Sequence, residues 1–89
     1  MSYAVMMEPG APDDVAQLPP AIRALVEEAC RMLAAAPTRL SRPFRAGGTG
    51  QLFERAFPIG DMQHYLVMRF QYGADEQTLH VTHVNWEAD

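Results

Sequence analysis

Three histidines, a short run of arginines and a few aromatic residues carry most of the chemistry that this 89-residue chain offers beyond packing. His64, His80 and His83 could serve as acids, bases or metal ligands, because imidazole titrates near neutrality. In a regular strand His80 and His83 point to opposite faces, and no cysteine or acidic partner stands at ligand spacing, so no metal site is read here. Exposed or hydrogen-bonded strand histidines are the structural alternative. His64, Tyr65, Arg69 and His83 are the candidates for catalysis. Arg39, Arg42 and Arg45, with Trp86, are the candidates for binding a partner. A guanidinium fork meets a carboxylate or phosphate through two parallel N–H groups. The alternative is a set of solvated charges around a loop. Tyr3, Tyr65 and Trp86 offer aromatic surface for stacking, or else core.

Composition removes several mechanisms. All seven basic residues are arginine, so a P-loop lysine, a Schiff-base lysine and a lysine general base are impossible. A net charge of −4 does not suit non-specific binding to nucleic acid, which needs many clustered cations. The single cysteine, Cys30, allows no intrachain disulfide. No charged region followed by an apolar run opens the chain, and no apolar segment nears the ~20 residues of a membrane span, so the expected compartment is the cytoplasm. Nothing in the pattern calls for a cofactor. At 48% hydrophobic residues the chain reads as one domain, 1–89, with a modest core.

The residues that could do chemistry must be held by a few elements. Pro20 to Pro37 reads as an amphipathic helix, with Ile22, Leu25, Val26, Ala29, Leu33 and Ala36 on its apolar stripe and Arg23, Glu27, Glu28 and Arg31 opposite. Pro20 suits the first helical position, and Pro37 cannot prolong the ladder. Ser2 to Glu8 reads as a strand and Asp13 to Leu18 as a short helical turn. Thr38 to Gly50 reads as a loop, since Gly47-Gly48-Thr49-Gly50 lacks the spacing of a phosphate cradle. Gln51 to Ile59, His64 to Tyr72 and Thr78 to Trp86 read as strands, with a turn over Pro58 to Asp61. Leu79 and Val81 differ in parity from Val84 and Trp86, which predicts a bulge or a change of partner near Thr82 and His83.

The fold class expected is therefore α+β: a strand, a short and a long helix, then a three-stranded antiparallel meander. The helix should lie on Leu66, Met68 and Phe70, burial of each large side chain contributing ~1.5 to 3 kcal/mol. On this reading Leu25 and Leu33 are both core, and truncating either to alanine costs ~2 to 5 kcal/mol. For a chain this short a homodimer or a bound partner is a reasonable expectation.

This order, with Tyr3-Ala4-Val5, Glu8-Pro9-Gly10-Ala11, Leu18-Pro19-Pro20-Ala21-Ile22-Arg23, Leu52-Phe53-Glu54-Arg55-Ala56-Phe57 and Tyr65-Leu66-Val67, resembles the RelE/ParE toxin superfamily of bacterial type II toxin-antitoxin systems. The resemblance implies a cognate antitoxin as partner, and either DNA gyrase or the ribosome as target. RelE-type members cleave mRNA on the ribosome, commonly with an arginine in a Tyr-Arg pair on the third strand and a basic residue near the end of the fourth. This chain has His64-Tyr65 and Asn85-Trp86 at those places. The departures weigh against ribosome-dependent cleavage and towards ParE-like action by binding. A non-catalytic interaction domain of the same fold, without toxin activity, is the alternative.

Overall fold

The alternation over His64 to Tyr72 becomes the central strand of a mixed five-stranded sheet. The computed structural model of the protein describes residues 3–39, 41–47, 50–60 and 64–88. Along the chain run β1 (Ala4–Met7), α1 (Ala11–Ala16), α2 (Pro20–Arg23), α3 (Val26–Ala35), β2 (Arg42–Gly47), β3 (Gly50–Ile59), β4 (His64–Tyr72) and β5 (Thr78–Ala88). The strand order is β1-β5-β4-β3-β2. Strands β2 to β5 are antiparallel neighbours, and β1 joins β5 in parallel. Ser2, Gly48, Thr49 and Asp61, which the sequence reading included, lie outside the described residues, as do the side chains of Phe44 and Arg45.

The α+β class and the three strands β3, β4 and β5 stand as expected; two details are corrected. The meander has four strands, because Arg42–Gly47 pairs with β3 in a stretch read as loop. Its pattern escaped detection because Pro43 and a register shift between Pro43 and Arg45 interrupt the alternation, both of which an edge strand tolerates. Gly47 and Gly50 face each other across the ladder.

The long helix is also two. α2 and α3 are separated at Ala24 and Leu25, where the Leu25 N–H bonds to the Ile22 carbonyl three residues back rather than four. That tighter turn rotates the following helix. Val26, Ala29 and Leu33 go into the core, while Leu25 turns outward and is 41% exposed. The first short helix starts at Ala11, two residues earlier than read. Gly10 sits before it at φ 100°, a conformation open to glycine.

The predicted face of β4 holds. Leu66, Met68 and Phe70 are buried in one cluster with Val26, Ala29 and Leu33, joined by Leu79, Val81 and Val84 of β5. The bulge lies where the parity change places it. Arg69 pairs with His83 and Phe70 with Val81, so Thr82 is the extra residue, and Val81 and Val84 both reach the helix side. Among the described residues no helix is long and apolar enough to cross a membrane.

Leu33 and Leu25 now separate. Leu33→Ala should cost ~2 to 5 kcal/mol through lost burial and a residual cavity. Leu25→Ala should stay within about 1 kcal/mol, as exposed positions do. Chemical denaturation of both variants checks the pair, and equal losses would contradict the rotation of α3.

Candidate functional site

The helix-free face of the sheet carries the polar residues of the odd positions of β4 and the even positions of β3. Two of them, Glu54 on β3 and Arg69 on β4, form one row of cross-strand partners with Arg42 on β2 and His83 on β5. Glu54 is the centre of that row. Its Oε1 accepts from Arg42 Nη2 at 2.9 Å and its Oε2 from Arg69 Nε at 3.1 Å. The carboxylate is only 9% exposed, so it depends on these donors for solvation. The Arg42 hydrogen bond holds its pKa below the usual carboxylate value; burial pushes the other way, and Arg69 adds to the lowering.

Beside this row lies a cleft of about 390 Å³ between α1 and the far half of β5, lined by Asp14, Gln17, Leu18, Val67, Arg69, His83, Val84, Asn85, Trp86 and Glu87. The bulge shapes its floor. The Thr82 hydroxyl donates to the Arg69 carbonyl at 3.3 Å and lies 2.9 Å from His83 Nδ1. Asp14 closes one side by accepting the Val84 N–H at 3.1 Å. Acid, base, amide and guanidinium groups thus share one concavity. Among the described residues no group of three or more His, Cys, Asp or Glu could hold a metal ion.

The structure divides the candidates from the sequence. Arg69 and His83 meet in the cleft, and Tyr65 lies on the same face opposite Pro58 and Glu87. His64 does not join them: its register places it with Leu66 on the helix side, its ring 5.3 Å from that of Trp86. His80 lies 3.2 Å from Glu8 at the β1–β5 junction. Arg39 is exposed in the turn after α3, Arg42 is paired with Glu54, and Arg45 stands opposite Leu52 in the ladder. Arg55 is on the helix side, 5% exposed, with its guanidinium 4.5 Å from the Phe57 ring centroid and Nη1 3.5 Å from the Ala36 carbonyl. Burial lowers its pKa, and the charge of Arg39 adds to this. Glu54 and Asp14 were not singled out from sequence. Alternation puts Glu54 on the Arg69 face, which was a usable signal; the bond from Asp14 to Val84 spans 70 positions and left none.

Because Glu54 has a depressed folded pKa, its contribution to stability is present above its unfolded pKa of about 4.3 and is lost as pH falls through the folded value. Glu54→Gln should therefore flatten the acid limb of a stability-versus-pH curve measured by urea denaturation. An unchanged limb would mean that the carboxylate is not held by Arg42 and Arg69.

Comparison with known proteins yields a likeness of fold. No family model and no curated protein matches the sequence. Among solved structures, the toxin-antitoxin complex RelBE2 from Mycobacterium tuberculosis aligns with a TM-score of 0.72 and 24% identity over 98% of this chain and 100% of that one. A free-state mutant of the E. coli toxin RelE aligns with a TM-score of 0.69 and 13% identity over 96% of this chain and 83% of that one. The archaeal RelE-RelB complex from Pyrococcus horikoshii gives 0.64 and 14% over 96% and 94%. With its parallel β1 added to an antiparallel meander under a short helical layer, the chain shares the fold of these RelE structures.

Proposed function

We propose that this protein is the toxin-like component of a type II toxin-antitoxin pair, held by a cognate antitoxin and acting by protein binding rather than by cutting mRNA. The fold likeness supports the first half, since two of the similar structures are toxin-antitoxin complexes. One observation carries the second half: Glu54 binds both Arg42 and Arg69. A ribosome-directed nuclease needs cations for phosphate and for the charge that develops in the transition state. Here the arginine of the cleft is already bound to a carboxylate, in a chain of net charge −4.

On this reading the target is a protein such as DNA gyrase, and no catalytic group is required. RNA cleavage by Arg69, His83 and Tyr65, with the ribosome as target, is the enzymatic counter-reading. Arg39 and Arg42, with Arg45 of the same segment, are offered to the antitoxin; Trp86 lies on β5, separated from β2 across the sheet by β4 and β3, and is not part of that surface. An antitoxin segment of this kind is acidic and disordered before it binds, and guanidinium groups match its carboxylates. A homodimer is compatible with the same surfaces.

In a translating extract the purified protein should cut mRNA no faster than background. Robust cleavage, lost in Arg69→Ala or His83→Ala, would restore the enzymatic reading. Arg39→Ala and Arg42→Ala should weaken co-purification with a neighbouring gene product and make the complex more sensitive to salt. If neither that product nor gyrase is bound, a non-catalytic interaction domain becomes the better reading.

A further inference from the structure

The outer edge of β5 changes character halfway along the strand. From Thr78 to Val81 it is covered by β1, whose last ladder pair is Met7 with Val81. Beyond the bulge no strand covers it among the described residues. The Val84 N–H points away from β4, because it is donated to Asp14. In an antiparallel ladder alternate residues direct their main-chain groups the same way, so the N–H and C=O of Trp86 and Ala88 also face outward. An uncovered run of main-chain donors and acceptors is a template for another strand unless something protects it. Here α1 packs beside β5 and Asp14 takes the Val84 N–H, while among the described residues no group accepts from the Trp86 or Ala88 N–H on that edge.

The cleft beside that edge is lined by two carboxylates and one arginine. Glu87, Asn85 and Asp14 line the cleft where it meets the edge. Neither Asp14 nor Glu87 has an ion-pair partner among the described residues. The arginine in the cleft, Arg69, is held by Glu54. Trp86, 36% exposed, points from the strand to the opposite face from Glu87, its ring beside that of His64. Carboxylates without an ion-pair partner suit a cation, above all a guanidinium, which meets a carboxylate through two parallel N–H groups.

We propose that the Trp86–Ala88 edge of β5 and the adjoining cleft form a docking site for an extended basic segment of a partner protein. Main-chain pairing at Trp86 and Ala88 supplies part of the affinity, and an arginine or lysine side chain of the partner enters the cleft beside Glu87 and Asp14. This surface lies across the sheet from β2, and its preference is opposite in sign to that of the Arg39 and Arg42 segment. It does not depend on the toxin reading: either can fail while the other stands.

The probes are two acetylated, amidated peptides, Thr-Val-Arg-Val-Thr and Thr-Val-Glu-Val-Thr, titrated into the full chain. Trp86, the single tryptophan, reports binding by fluorescence, and backbone amide exchange reports the pairing. The arginine peptide should bind at least about tenfold more tightly than the glutamate peptide. It should also slow exchange at the Trp86 and Ala88 amides. Glu87→Gln should shrink the preference to below about threefold without altering the amide spectrum elsewhere, and Ala88→Pro, which removes an edge donor, should weaken both peptides. Equal binding of the two peptides, preference for the glutamate peptide, protection appearing at β2 instead, or no binding of either would each overturn the proposal.

Discussion

The structure depends on covering one apolar sheet face with very little helix. α1, α2 and α3 contribute six, four and ten residues, and they must shield Leu66, Met68 and Phe70 of β4 together with Leu79, Val81 and Val84 of β5. They manage this by changing phase at Leu25, so that α3 turns Val26, Ala29 and Leu33 onto the sheet. The cost is visible at the rim, where Leu25, Met32 and Trp86 remain exposed. Leu25 and Met32 border a small apolar groove with Phe57, Ile59 and Leu66. An incomplete helical layer of this kind leaves stability that a bound partner can add.

One inserted residue links the core to the site. Thr82 returns Val84 to the helix side, sets His83 opposite Arg69 and lets the Val84 N–H reach Asp14. Without it, the alternation set by Leu79 and Val81 would send Val84 and Trp86 to the polar face. The cleft, the row of charged partners and the uncovered edge all follow from that shift. Bulges re-aim side chains and end pairing, and here one does both.

The charges on the two faces are handled differently. On the open face Glu54 is satisfied by two guanidinium groups, an arrangement in which each partner removes part of the other's need for water. On the helix side Arg55 has no carboxylate among the described residues and relies on the Phe57 ring and a distant carbonyl. Its Nε has no acceptor. A buried cation with so little compensation is costly to keep. The same alternation that makes Glu54 a neighbour of Arg69 forces Arg55 inward between Phe53 and Phe57.

Local pattern in the sequence by itself determined the helix-bearing segment, the apolar face of β4, the antiparallel run of β3, β4 and β5, and the change of parity near Thr82. These are short-range features, in which side-chain periodicity and turn residues act within a few positions. It also determined that Arg69 and Tyr65 share a face, which excludes neither binding nor chemistry. Tertiary structure decided the rest. The parallel pairing of β1 with β5 joins residues more than 70 positions apart, and strand order in a sheet is not encoded in periodicity. The inclusion of Arg42–Gly47 as a strand came from a neighbour willing to pair with an irregular edge. The exposure of Leu25 came from the phase of α3 against the sheet. The separation of His64 from His83, and the capture of both Arg42 and Arg69 by Glu54, came from register across three ladders. Register is set by the summed fit of whole strands, and no single stretch of this chain contains it.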